Sequence, residues 1–230
     1  MFGKSLGASK KAFAGLWPVF VVSFLLAVPS VGLPQNLPVP NSTIAEEQDY
    51  AFAYGLFKDG LFQNAAEQFT NFVKKYPQSI KIQDAQFLYA DCFFQMEKYG
   101  DAAREFSSFV RHYPFSPLSD NARFRLGDTY ARLNRSRDAI ETYKSILDQP
   151  KNPAVAGEAA YWIAEIYFKE SDYANAVKYY ALSFEGYPGH RLQDYAAYSV
   201  AWTSQRKGDY SKAAEWYRLL VQKLPQSPLV

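Results

Sequence analysis

Residues 62–77 read FQNAAEQFTNFVKKYP. Apolar side chains in this stretch return at three- and four-residue intervals, from Phe62 through Ala65 to Phe69, which is the spacing of an amphipathic helix. A turn dipeptide, Asp59-Gly60, precedes the stretch, and Pro77 closes it because proline cannot continue a helix. The stretch therefore predicts a short helix that begins after a tight turn and stops at a proline.

The same pattern recurs along the chain with a period of 37 residues. Each unit has a small residue, then an alanine, a ring four residues after the alanine, and a closing proline. The four columns are Ala53, Ala90, Gly127, Ala164 and Ala201; Ala65, Ala102, Ala139, Ala176 and Ala213; Phe69, Phe106, Tyr143, Tyr180 and Tyr217; and Pro77, Pro114, Pro150, Pro188 and Pro225. Turn residues such as Gly100-Asp101 and Gly208-Asp209 divide the units into two helices each. The pattern predicts an all-α solenoid of about five helix–turn–helix units, each stable only against its neighbours.

These columns resemble the tetratricopeptide repeat, and the resemblance covers residues 44–226. The unit is three residues longer than the usual repeat. With the links Tyr76-Pro77-Gln78-Ser79 and Tyr113-Pro114-Phe115-Ser116, it is similar to the bacterial envelope branch of the family. That branch includes the repeat lipoprotein of the outer-membrane β-barrel assembly machine and the periplasmic repeat protein associated with the Tol–Pal system. The resemblance implies a superhelix whose first helices line a concave face, and a scaffold that binds a peptide or protein there.

The N-terminus has the features of an export signal. Lys4, Lys10 and Lys11 precede an apolar run from Ala12 to Val31, and small residues follow at Ser30 and Gly32. This order predicts a secretory signal peptide over residues 1–32. The alternative is an uncleaved anchor, because about 20 apolar residues can just span a bilayer.

Residues 33–43 contain three prolines and predict a stiff linker. A lipoprotein signal would need a cysteine at its exit, and the sole cysteine is Cys92. We therefore expect export to the periplasm or the periphery of the outer membrane, or anchoring in the inner membrane if the leader is kept. A membrane contact is expected only through the leader, and only if the leader is not cleaved.

Composition argues against several classes of function. No acidic residue precedes Glu46, so the three leader lysines account for the net charge of +2 and the remaining chain is close to neutral, with no general attraction to nucleic acid. One cysteine excludes an internal disulfide and a cysteine-rich zinc site. His112 and His190 lack ligand spacing, and no phosphate loop or nucleophile elbow is present. We expect no enzyme activity, no metal and no cofactor.

Three columns of the first helices are candidates for partner binding. The acidic column is Asp91, Asp128 and Glu165; the basic column is Lys58, Arg132, Lys169 and Arg206; the aromatic column is Tyr50, Phe87, Phe124, Tyr161 and Tyr198. The acidic and basic columns stand four residues apart, so intrahelical ion pairing is an alternative explanation. For the aromatic column the alternative is packing inside the solenoid.

The C-terminal residues raise a further expectation. Ser227-Pro228-Leu229 repeats Ser116-Pro117-Leu118, which we expect to open a helix with a serine cap and a proline in its first turn, as at Asn152-Pro153. Residues 227–230 would then start an incomplete sixth unit. The last helix would expose an apolar end face that self-associates or receives further repeats of a longer chain. Its predicted residues are Trp216, Leu219, Leu220 and Leu224.

Overall fold

The computed structural model describes residues 43–230, which form ten α-helices and, in that range, no strand. The helices are α1 (Ile44–Lys58), α2 (Phe62–Lys75), α3 (Ile82–Gln95), α4 (Tyr99–His112), α5 (Ser119–Arg132), α6 (Ser136–Asp148), α7 (Pro153–Lys169), α8 (Tyr173–Gly186), α9 (Gln193–Arg206) and α10 (Tyr210–Lys223). They pair in chain order into five units, as the 37-residue period predicts.

The first helices of the units form the inner, concave side of the solenoid. Every helix packs against the next one in the chain, and α1, α3, α5, α7 and α9 also contact one another in sequence. Within the described residues the backbones of successive second helices do not approach each other in this way. Because successive first helices lie closer together than successive second helices do, the array curves towards its first helices.

The core follows the columns of small residues and rings. Phe69, Phe106, Tyr143 and Tyr180 are almost completely buried, as is the small column from Ala53 to Ala201. The small column lets the two helices of a unit approach closely. At Gly127 the approach leaves no room for a side chain, since an added Cβ would lie 2.6 Å from the Tyr143 ring.

The turn between the two helices of every unit has one residue in the left-handed region. These residues are Gly60, Glu97, Asn134, Ser171 and Gly208, again 37 residues apart, with φ between 56° and 82°. Glycine adopts this conformation without strain and asparagine tolerates it. The turn predicted at Gly100-Asp101 is wrong, because both residues lie inside α4 and the left-handed residue is Glu97.

Of the two helix starts expected from a capping residue followed by proline, one agrees with the structure and one differs. Thr43 caps α1 by accepting from the Glu46 amide at 3.1 Å, and Asn152 caps α7 with Pro153 in its first turn. α5 begins at Ser119, so Ser116-Pro117 do not open it. Ser116 Oγ instead accepts from the Leu118 amide in a separate turn, and Ser227 Oγ accepts from Leu229 in the same way. The sixth unit at 227–230 stays a prediction.

The predicted exposed end face is wrong for two of its four residues. Trp216 and Leu220 are buried, because Trp216 packs edge-on against Phe184 and both belong to the core cluster of the last two units. Leu219 and Leu224 are half-buried against that cluster. Leu229 packs there too, so the segment after α10 folds back onto the surface that was expected to be open.

No helix among the described residues combines the length and the apolar content that crossing a bilayer requires. The signal peptide or anchor predicted over residues 1–32 lies outside the described residues. So does the linker over residues 33–43, except for Thr43.

Candidate partner-binding face

The aromatic column forms the floor of the inner face. Each of its five rings is half-buried and packs against the ring column of the second helix in its own unit, with centroids 5.4 to 6.2 Å apart. Phe87, for example, lies 5.7 Å from Phe106 in an edge-to-face arrangement. Packing therefore accounts for the position of these rings, and a smaller part of each remains accessible to solvent.

The acidic column joins a charge cluster that spans two units. Arg125 Nε lies 3.2 Å from Asp91 Oδ1, and Arg125 Nη1 lies 3.9 Å from Asp128. The guanidinium of Arg125 also stacks on the Phe94 ring at 4.9 Å. Asp91 is only 4% exposed, so it faces the protein and is not the free contact residue that its column suggested.

Burial raises the pKa of Asp91, and Arg125 and Gln95 oppose that rise. Burial likewise raises the pKa of Asp128, against the effect of Arg132 and Arg125. The solenoid therefore partly shields both carboxylates from water, and the two share the guanidinium of Arg125 as an ion-pair partner.

Glu165, the third member of the acidic column, is engaged from the second helix of its own unit. The Tyr180 hydroxyl donates to Glu165 Oε1 at 2.5 Å. Burial, together with this carboxylate, raises the pKa of Tyr180, so the hydroxyl remains a donor at neutral pH. The intrahelical pair expected between Glu165 and Lys169 is absent from the ion pairs of the described residues.

The basic column lies at the exposed rim of the inner face. Lys58, Arg132, Lys169 and Arg206 all end the first helix of their units and are all exposed. Arg132 lies 4.0 Å from Asp128, the limit of an ion pair, while the other three form no ion pair with a described residue. The side chains of Lys58, Lys169 and Arg206 are therefore free to form an ion pair with another molecule.

The sequence reasoning missed three exposed aromatic residues on the inner side. Trp162 on α7 and Tyr195 and Trp202 on α9 are 38%, 45% and 42% exposed. Trp202 occupies the acidic column, four residues before Arg206, and Trp162 directly follows Tyr161 of the aromatic column. Tyr54 and Trp202 occupy the two ends of the acidic column, and rings in a column that is otherwise acidic were the signal that could have identified Trp202.

Neither histidine is arranged for catalysis. The His112 ring is exposed and lies 2.8 Å from the Ser108 carbonyl oxygen. His190 is buried between α7 and α8, where it contacts Ser183 and accepts from the Leu192 amide. Burial raises the pKa of the Cys92 thiol to about 12, so that thiol is inert. Among residues 43–230 no three His, Cys, Asp or Glu side chains are grouped as a metal site requires.

The family models match two overlapping parts of the chain. Residues 124–191 match the tetratricopeptide repeat model. This match, together with the 37-residue repeat and the fold, supports a tetratricopeptide repeat protein. Residues 42–138 match the model of an outer membrane lipoprotein family, which agrees with the resemblance of the Tyr-Pro-x-Ser links to the bacterial envelope branch. The chain matches none of the curated proteins.

Solved structures of other repeat proteins have the same fold. A crystal structure of MamA is 17% identical, covers 74% of this chain and 93% of its own, and has a TM-score of 0.59. MamA 41-end from Desulfovibrio magneticus RS-1 is 12% identical, covers 81% and 99%, and scores 0.61. BtubC from P. vanneervenii is 14% identical, covers 76% and 78%, and scores 0.62. At these identities the likeness shows the tetratricopeptide fold alone.

Proposed function

We propose that this tetratricopeptide protein is a non-enzymatic scaffold, exported to the bacterial envelope, that holds a peptide or protein segment along its inner face. The observation that supports the proposal best is the set of exposed rings and unpaired cations on the first helices, on the concave side. Tryptophan and tyrosine are enriched where interfaces gain most of their binding energy. A monomer gains nothing from leaving them in water on one side of the array.

The family and the leader support the cellular setting. Tetratricopeptide proteins generally act in protein–protein interaction and are generally non-enzymatic. The match of residues 42–138 to an outer membrane lipoprotein family and the secretory pattern of residues 1–32 both favour the envelope. Mass spectrometry of the native N-terminus tests export: a chain starting after Ser30 or Gly32 supports it, and an intact leader favours inner-membrane anchoring.

Site-specific photo-crosslinking in the intact bacterium tests the inner face. The crosslinker replaces Gln95 or Gln205, both exposed on first helices, and Ser145, which is exposed on the second helix α6, serves as the control. We expect adducts of defined mass from one or both inner positions and none from Ser145. Equal labelling at all three positions, or labelling at Ser145 alone, would contradict the proposed binding face.

A structural array that stacks on further repeats or on a second copy is the other candidate function. It is favoured by Phe52, which is 59% exposed although the equivalent Ile163 and Val200 are fully buried against the preceding unit. If this is the main contact, the purified protein self-associates in light scattering and Phe52→Glu abolishes the association. A monomer over the whole concentration range rejects this candidate.

A further inference from the structure

The inner face of the last two units carries rings that are turned to solvent. Tyr195, Ser199 and Trp202 follow one another at four- and three-residue spacing and therefore lie on one side of α9. Trp162 lies on the neighbouring α7 and contacts Tyr161 edge-on at 5.7 Å. Burial, Glu165 and Tyr195 raise the pKa of Tyr161, against a hydrogen bond with Ser199. The two helices α7 and α9 contact each other.

The carboxylates of this region already have protein partners. Arg191 Nη2 lies 2.9 Å from Glu158 Oε2, and the Tyr180 hydroxyl donates to Glu165 at 2.5 Å. Ser227 Oγ donates to Asp194 Oδ2 at 2.8 Å. Of these three carboxylates, Glu158 is neutralised by a cation, while Glu165 and Asp194 keep their charge and accept hydrogen bonds from hydroxyl groups of the protein itself.

The cations at the rim of the same region have no such partners. Lys169 and Arg206 are exposed at the ends of α7 and α9, and neither forms an ion pair with a described residue. The middle of the solenoid differs, because Arg125 there is shared between Asp91 and Asp128. The groups left unsatisfied on the inner side of the last two units are therefore aromatic rings and positive charges.

We infer that the inner face of α7 and α9 takes an extended protein segment that carries acidic side chains next to aromatic or aliphatic ones. The apolar side chains of the segment pack on Trp162, Tyr195 and Trp202, while its carboxylates meet Lys169 and Arg206. This rests on the proposed function and adds the chemistry of the partner and the half of the array that binds it. The complementarity of charge sets which segments bind, and the rings supply most of the affinity.

Fluorescence anisotropy with synthetic peptides tests the inference on the full chain after its leader. Three labelled peptides of equal length alternate Phe with Asp, Phe with Lys, or Ala with Asp. We expect the Phe–Asp peptide to bind at least tenfold more tightly than either of the others, with an affinity that falls as salt is added. A preference for the Phe–Lys peptide, or equal binding of all three, would overturn the inference.

The repeat itself supplies matched controls. Tyr54 and Lys58 occupy in α1 the columns that Trp202 and Arg206 occupy in α9. Trp202→Ala and Arg206→Glu should each weaken binding of the Phe–Asp peptide about tenfold or more, and by clearly more than Tyr54→Ala and Lys58→Glu do. Lys178→Glu, which changes an exposed cation on the second helix α8, should leave binding unchanged. Circular dichroism verifies that all five variants keep their helical content.

The outcomes separate this inference from the function it rests on. If both pairs of variants weaken binding equally, the inner face binds along its whole length and the assignment to the last two units is wrong. If the peptides fail to bind while Gln95 or Gln205 still forms crosslinks in the cell, the partner has another chemistry and the inference falls. If the inner crosslinks are also absent, the proposed function falls with it.

Discussion

The His190 ring occupies the space that a side chain at Gly157 would need: a Cβ there would lie 2.5 Å from His190 Cδ2. In two other units the same pair of positions forms a hydrogen bond between a serine and an acid. Ser79 donates to Glu46, and Ser227 donates to Asp194 at 2.8 Å. The joint between the fourth and fifth units has therefore exchanged the acid for glycine and the serine for histidine together.

This exchange predicts a stability that depends on His190 and on pH. The ring is 6% exposed, its Nδ1 accepts from the Leu192 amide at 3.2 Å, and its Nε2 lies 3.1 Å from the Ser183 carbonyl oxygen. Burial lowers the pKa of His190, and the nearby positive charge of Arg191 lowers it further. The hydrogen bond to the Ser183 carbonyl and the negative charges of Glu158 and Asp194 act in the opposite direction. The stability from the neutral ring is therefore present above the unfolded pKa of about 6.5 and is lost as pH falls below it.

Urea unfolding at pH 7.5 and pH 5 measures this dependence. Carboxylates such as Asp91 and Asp128, whose pKa values burial raises, shift stability in the opposite direction and are common to all variants. The comparison is therefore between the wild type and Gly157→Glu/His190→Ser, which restores the pair found at Glu46 and Ser79. The wild type should lose more stability between the two pH values than the double variant, and equal losses would show that His190 does not titrate in this range.

The contact between Gly157 and His190 shows which features of the fold the sequence can predict and which it cannot. The 37-residue period, the small column and the ring column predicted five units and their helices, because those features repeat and each repeat tests the others. The exchange at Gly157 and His190 occurs once, so no period reveals it. Two side chains 33 residues apart meet only after the units have stacked, and Ser116 was wrongly expected to cap α5 for the same reason.

Two glycines within first helices should respond oppositely to alanine. In Gly127→Ala the new Cβ meets three atoms of the Tyr143 ring at 2.6 to 2.9 Å, and that ring is 1% exposed and cannot move freely. We expect a loss of about 1–3 kcal/mol of unfolding free energy, despite the better helix propensity of alanine. Gly55→Ala meets nothing within 4 Å and should gain about 0.5–1 kcal/mol. A stabilised Gly127→Ala variant in urea melts would mean that the units can separate slightly at little cost.

The ring column predicts a large loss at its centre. Phe106 is completely buried and packs against Phe87 of the preceding helix, so Phe106→Ala should cost about 3–5 kcal/mol. Phe115→Ala is the matched control, because that ring is 90% exposed and its loss should change stability by less than about 0.5 kcal/mol. Denaturant melts of both variants give the comparison. A loss below about 1 kcal/mol for Phe106→Ala would contradict the helix phase described for α4.

The inner face was less predictable than the core. The basic column lies exposed at the ends of the first helices, which repeat with the units, and its role in partner binding stays a prediction. Asp91 and Asp128 share a column, yet Asp91 is buried and Asp128 is half-buried. The column does not predict this difference, because Arg125, the ion-pair partner of Asp91, has no counterpart in the other units. Trp162 and Trp202 occupy different columns, so a search for columns of like residues could not group them.

Removing Arg125 should show what that residue does for Asp91. The Asp91 carboxylate is almost fully buried, and Arg125 is its partner in an ion pair. In Arg125→Met the carboxylate keeps only the long hydrogen bond from the Gln95 amide at 3.3 Å, and we expect a loss of about 1–3 kcal/mol of unfolding free energy at pH 7.

The pKa of Asp91, already raised by burial, rises further without the guanidinium, so the folded state binds a proton before the unfolded state does. Stability of this variant should therefore recover as pH falls from 7 towards 4.5, and Asp91→Asn in the same background should remove both the loss at pH 7 and the recovery. A variant whose deficit in urea melts is the same at both pH values would show that the buried carboxylate finds another cation when Arg125 is gone.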